Sequence, residues 1–212
     1  MNIIEPGFKV MTKIDRPAIL KLLEECGRTC YKSDAKITDS SASTFVRGLI
    51  KRNHTAMIEH FSITVKFFCD RGVSHEIVRH RIASFAQEST RYCNYIKDDF
   101  GSEITVIKPL FLDEGTEGYN IWKESCQASE DAYFDLLNWG CTPQEARSVL
   151  PNSLKTEIVV TMNLREWRHF FNLRALGTTG KPHPQMKEVA LPLLNYFKEV
   201  LPEVFDDLEV TE

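Results

Sequence analysis

Ser62-Ile63-Thr64-Val65-Lys66-Phe67-Phe68 alternates, with Ile63, Val65 and Phe67 on one side and Ser62, Thr64 and Lys66 on the other. A pleated strand, whose side chains point to opposite faces in turn, sorts such a run into one dry and one wet face. Asp70-Arg71-Gly72 reads as the turn that closes it, and Ser74 as the cap of a short helix carrying His75 to Arg81. Toward the N-terminus, Asp15 can cap a helix with Pro17 early in it and Ile19, Leu22, Leu23 and Cys26 at helical spacing. A second helix is expected over residues 41–52, with Phe45, Val46, Leu49 and Ile50 on one face. Toward the C-terminus, residues 104–107 and 157–162 are β-branched runs that read as strands. Thr116 starts a long helix that Gly140 stops; Thr142-Pro143-Gln144-Glu145 starts another with a capping box, and Pro151 ends it. Asn163 caps a further helix, and Pro184 opens the last one, which Pro192 can kink. Helices and strands mix without a regular strand–helix–strand alternation. The expected fold is therefore α+β, a central, mostly antiparallel sheet packed with helices, in a single domain over residues 1–212.

Composition narrows the class. The 212 residues are 42% hydrophobic and 26% charged, a globular balance with enough chain for a core that needs no disulfide staples. Asp+Glu outnumber Lys+Arg by 30 to 26, and the net charge of −4 argues against a nucleic-acid partner or an anionic membrane surface. No apolar run approaches the roughly 18–20 residues of a membrane span, and Met1-Asn2-Ile3-Ile4-Glu5-Pro6 lacks the basic-then-apolar order of a secretory signal. The six cysteines include no Cys-x-x-Cys pair; reduced thiols, no metal site and a cytoplasmic location are expected. There is no Gly-x-Gly-x-x-Gly or Walker-type loop.

The chemistry concentrates in Arg79-His80-Arg81-Ile82-Ala83-Ser84-Phe85-Ala86-Gln87-Glu88-Ser89-Thr90-Arg91-Tyr92. Three arginines in so short a stretch of an acidic chain fit two readings. One is a solvated basic face paired with Glu76 and Glu88. The other is a site whose guanidinium forks bind phosphate or carboxylate, with Ser84, Gln87 and Ser89 as shorter-range partners. On the helix after Asn163, Trp167, Phe170 and Phe171 share an apolar face with Arg174, which either snorkels to water or holds a polar partner in a partly dry pocket. Arg165, Arg168, His169 and Asn172 form the opposite stripe, a solvated face or a cofactor wall. Arg147, in a short capped helix, reads by itself as a surface arginine.

Arg-His-Arg, seven residues, then Ser-x-Arg-Tyr resembles the signature of the flavin-dependent thymidylate synthases. The segments His54–His60, Glu145–Pro151, Asn163-Leu164-Arg165 and Phe171-Asn172-Leu173-Arg174 resemble further blocks of that family, in the same order. The resemblance implies conversion of dUMP to dTMP with 5,10-methylenetetrahydrofolate as one-carbon donor, FAD as redox cofactor and NADPH as its reductant. It also implies an α+β homotetramer with shared active sites. By position, Ala56, Arg79, His80, Arg81, Gln87, Asn163, Leu164, Arg165 and His169 would contact FAD, with His54 against flavin and folate. Glu76, Arg79, Gln87, Glu88, Ser89, Thr90, Arg91, Arg147 and Arg174 would line the dUMP site. Arg174 would act catalytically by favouring ionisation at uracil N3, where a fixed cation stabilises the developing charge. Ser89 has no evident base beside it and reads as a ligand, not a nucleophile.

This chain departs from the family pattern at Glu76, where glutamine is frequent, and at Ala86 and His169, where asparagine is frequent. The segment 177–182 is longer than the family's turn. Two rival readings remain at this stage. One is a metal-dependent hydrolase using His54, Glu59, His60, His75 and His80. The other is a nucleotide-binding module without catalysis.

Overall fold

In the computed structural model, residues 1–91 and 103–209 are described. In chain order the elements are β1 (Asn2–Ile4), β2 (Gly7–Val10), α1 (Arg16–Tyr31), α2 (Ser41–Lys51), β3 (Ser62–Asp70), α3 (Arg71–Ile77), β4 (Ala83–Gln87) and β5 (Thr105–Ile107). Then come α4 (Glu117–Asn138), α5 (Pro143–Ala146), β6 (Lys155–Asn163), α6 (Leu164–Phe171), α7 (Pro184–Val200) and α8 (Pro202–Phe205). A 3-10 segment spans Thr55–His60, and Asn172–Leu176 continues α6 with π-helical winding.

One sheet has the order β2-β3-β6-β4 and a second pairs β1 with β5. Strands β3 and β6 run antiparallel. Leu164 N donates to Phe61 O, the Thr64 and Thr161 hydroxyls meet at 2.9 Å, and Arg71 N donates to Asn152 O, so one set of numbers rises as the other falls. The β1–β5 pair is parallel, with Ile3 opposite Val106, an exception to the antiparallel expectation. Alternation decides both long strands: Ile63, Val65, Phe67 and Cys69 of β3, and Thr156, Ile158, Val160 and Met162 of β6, are buried.

The caps act as their side chains dictate. Asp15 accepts from Ala18 N at 3.1 Å, Thr116 from Tyr119 N at 3.2 Å, and Asn163 from Glu166 N at 2.8 Å. The Glu145 carboxylate accepts from the N–H and hydroxyl of Thr142 at 2.8 and 2.7 Å, which holds its pKa below the ordinary value. The segment after β3 differs from expectation. Asp70 does not open a turn; it caps α3, accepting from Val73 N at 2.7 Å. Ser74 lies inside that helix, its hydroxyl donating to Arg71 O, and the helix ends at Ile77, before Arg79-His80-Arg81.

The chain divides into two compact units. The first comprises Met1–Gly7, Phe67–Arg79 and Ala86–Val159; the second comprises Phe8–Lys66, His80–Phe85 and Val160–Glu212. The core of the first gathers Ile104, Val106, Cys126, Tyr133, Ala146 and Leu154. The second is built on aromatic rings: Trp167, Phe171, Phe197 and Phe205 meet at centroid distances of 5.1 to 5.8 Å, mostly edge to face. The Trp167 indole N–H donates to Ile63 O at 3.0 Å, which satisfies the one polar atom of that side chain in the core. Gly27 is required where α1 crosses α2, because a Cβ there would lie 2.5 Å from the Phe45 ring.

Candidate active site

In the first unit, α3, the segment after β4 and the segment leading into β6 surround an open cleft of about 300 Å³. Arg71, His75, Thr90, Arg147, Ser148 and Asn152 line it. The Arg147 guanidinium donates to the Thr90 hydroxyl at 3.2 Å while remaining exposed. Two guanidiniums, an imidazole and short hydroxyl and amide groups, with no carboxylate among them, suit an anion such as a phosphate. Arg147 and Thr90 were expected here. Arg71, His75 and Asn152 were not, although the i, i+4 spacing of Arg71 and His75 was the available signal that they share a helix face.

The other dUMP candidates of this unit are engaged to different degrees. Gln87 donates to the hydroxyls of Ser74 and Thr156, at 2.9 and 3.2 Å, so its amide is tied to its own scaffold. Glu88 accepts from Lys155 at 3.1 Å and from Glu157 N at 3.2 Å. Burial works to lower the Lys155 pKa, but Glu157 and Glu88 outweigh it and hold the ammonium above its ordinary value. The Glu88 carboxylate thus neutralises Lys155. Ser89 accepts from Arg91 N at 3.3 Å, a local turn contact. Glu76 is half-buried, Arg79 and Arg91 are exposed, and Tyr92 of the signature lies outside the described residues.

In the second unit the candidates surround α6. Asn163 caps it. Leu164 is buried, with its N–H donated to Phe61 O, so this side chain belongs to the core. Arg165 is exposed and ion-paired with Glu59 at 2.5 Å. The segment carrying Ala56 packs on α6, and the exposed His54 that precedes it meets the Tyr31 hydroxyl through Nδ1 at 2.8 Å. Arg168, on the polar stripe, is a structural residue: it holds Asp207 at 2.6 and 2.7 Å and donates to Val204 O.

His80 is buried, with Nδ1 3.0 Å from the Glu166 carboxylate and Nε2 accepting from Arg174 Nε at 3.2 Å. Its ring lies 5.0 Å from Phe170 and 5.6 Å from His169. Burial first, then the charges of Arg174 and His169, push the His80 pKa down to about 4, so the ring is neutral near pH 7. Burial raises the Glu166 carboxyl, with His169 acting against the shift. Among the described residues, His80, Glu166 and His169 form the one group of three potential metal ligands within 4.8 Å. His54, Glu59, His60 and His75 do not join it, and the Arg174 cation beside His80 disfavours a metal ion there.

This is an α+β protein with one unit that offers open, cationic contacts and another that holds a buried histidine–carboxylate pair against an arginine, a class suited to anionic ligands. The sequence matches the family described as "Thymidylate synthase complementing protein" over residues 14–203. It is 33% identical over 187 residues to the flavin-dependent thymidylate synthase of Geobacter sulfurreducens, covering 85% of this chain and 78% of that one. It is 34% identical over 174 residues to that of Pyrococcus furiosus, covering 82% and 69%. The chain belongs to the family of flavin-dependent thymidylate synthases. Its fold is similar to that of a UMP/dUMP methylase, PolB of Streptomyces cacaoi, bound with 5-Br dUMP, with a TM-score of 0.78 at 19% identity over 97% of this chain and 96% of the other.

Proposed function

We propose that the protein converts dUMP to dTMP: dUMP, 5,10-methylenetetrahydrofolate, NADPH and a proton give dTMP, tetrahydrofolate and NADP⁺. The observation that carries this reading is family membership across residues 14–203, a range that includes every candidate of both units. The chemistry of the donors supports it. Arg147 and Arg71, with the Thr90 hydroxyl, offer a phosphate the charge-assisted bonds it accepts. Ser89 and Arg91 extend this set along the chain, while Arg79 suits a second anion and Glu76 the sugar or base rather than a phosphate.

The residues around α6 fit a flavin dinucleotide. The exposed Arg81, Arg165, His54 and His169 are donors for its phosphates and ring edges, Asn163 sets a helix N-terminus, and Ala56 leaves its surface uncrowded. Bound there, FAD supplies the reducing equivalents, and the protein supplies placement and charge. Arg174 sets a fixed cation where negative charge develops on the uracil ring, and the neutral His80 leaves that cation undiluted by a second charge. Glu88, committed to Lys155 and to the Glu157 backbone, positions β4 beside β6. The reading includes a homotetramer with shared sites, acting in the cytoplasm; no helix among the described residues is long and apolar enough to cross a membrane.

The test is an absorption spectrum. The purified protein is expected to be yellow, to bleach with NADPH, and to form dTMP when dUMP and the folate are added. A protein that cannot be reconstituted with FAD contradicts the reading. One that binds dUMP with no flavin turnover is the nucleotide-binding module instead.

A further inference from the structure

Around α6, three polar side chains form a chain with a direction. Glu166 and His80 are buried and Arg174 is half-buried. A guanidinium has donors and no acceptor, so the His80 Nε2 that meets Arg174 Nε at 3.2 Å must carry a lone pair. The proton of a neutral ring then sits on Nδ1, the atom facing the Glu166 carboxylate at 3.0 Å. A doubly protonated ring would set N–H against N–H, and the ring's low pKa agrees with the neutral form. Protons are therefore donated in one sense, from Arg174 to His80 to Glu166.

Local structure fits this task. Glu166 is the third residue after the Asn163 cap, the position from which a capping-box glutamate reaches back to the cap. Here its carboxylate turns to His80 instead. Arg174 lies in the π-wound turn Asn172–Leu176, a winding that re-aims side chains relative to a continuous α-helix. His169 flanks the His80 ring at the edge and Phe170 covers its other contact, so Glu166 is the carboxylate that sets the tautomer.

We propose that Glu166 is a positioning residue: by accepting the His80 Nδ1–H it fixes the ring as the Nδ1–H tautomer, and Nε2 in turn aims the Arg174 guanidinium at the uracil. The last clause rests on the proposed function; the tautomer does not. Without the carboxylate the ring proton has no acceptor at Nδ1 and moves to Nε2, which turns the Arg174 contact from attraction to repulsion.

The experiment is ¹⁵N NMR of histidine-labelled, flavin-loaded protein, with steady-state kinetics on the same samples. The wild type is expected to show His80 protonated at Nδ1. Glu166→Gln, which keeps an acceptor oxygen, is expected to keep that tautomer and most of kcat. Glu166→Leu is expected to shift the proton to Nε2 and lower kcat about tenfold or more, with the KM for dUMP changing less. An Nε2–H ring in the wild type overturns the proposal, as does a Glu166→Leu protein with unchanged kcat. If Glu166→Leu does not fold, the wild-type tautomer and the Glu166→Gln kinetics still decide. A wild type that forms no dTMP sinks the proposed function instead, while the ring readout continues to judge the Glu166–His80–Arg174 chain.

Discussion

The two units use arginine in opposite ways. In the first, Arg147 stays exposed and, among the described residues, its guanidinium meets a threonine hydroxyl. In the second, Arg174 is half-buried and its Nε is spent on a buried histidine that is itself held by a buried glutamate. An exposed cation is screened and contributes little to stability, but it can exchange water for an arriving phosphate at small cost. A cation fixed in a drier place stabilises charge more strongly and needs no reorganisation when that charge appears. On the function proposed, the first arginine serves dUMP capture and the second electrostatic catalysis.

The comparison can be broken most forcefully at the scaffold. Trp167→Ala is expected to destabilise the second unit by about 4 kcal/mol, by emptying a ring-lined core and removing the indole's bond to Ile63 O; denaturant unfolding reads it. Arg174→Ala is expected to raise the barrier to dTMP formation by about 3 kcal/mol, roughly a hundredfold in kcat, with far less change in nucleotide affinity. Turnover near the wild-type rate would remove Arg174 from the chemistry.

The buried pair makes a pH prediction. His80 has a folded pKa of about 4 against an ordinary 6.5, so between those values the unfolded chain binds more protons. The stability due to the neutral ring is complete above pH 6.5 and is lost as pH falls toward 4, to the extent of about 3 kcal/mol. His80→Phe should flatten the acid limb of the stability curve by about that amount. An equally steep curve would mean that the ring is charged in the fold. At the open cleft, Arg147→Ala is expected to weaken dUMP binding about tenfold to thirtyfold, with kcat at saturation little changed. The smallest effect belongs to the Asn163 cap: Asn163→Ala should cost about 1 kcal/mol in thermal unfolding.

Much of this was legible along the chain because it is local. The alternation of β3, the Asp15, Thr116 and Asn163 caps and the Thr142–Glu145 box each depend on residues within a few positions of one another. Asp70-Arg71-Gly72 misled because aspartate favours turns and helix caps for the same reason, a carboxylate that accepts backbone N–H bonds. The pairings that define the sites are distant in sequence. Lys155 neutralises Glu88 across 67 positions and Glu166 meets His80 across 86, and no periodicity encodes either. The basic stretch read as either a solvated face or an anion site resolves residue by residue. Glu88 is an internal ion-pair partner, His80 a buried relay, and Thr90 a wall of the cleft.

The division of labour is tested most directly by one absorbance titration of flavin-loaded Arg147→Ala protein with dUMP. The account predicts an undiminished flavin spectrum and a dUMP half-saturation point displaced upward by about tenfold or more. Loss of the flavin with dUMP affinity intact would contradict it.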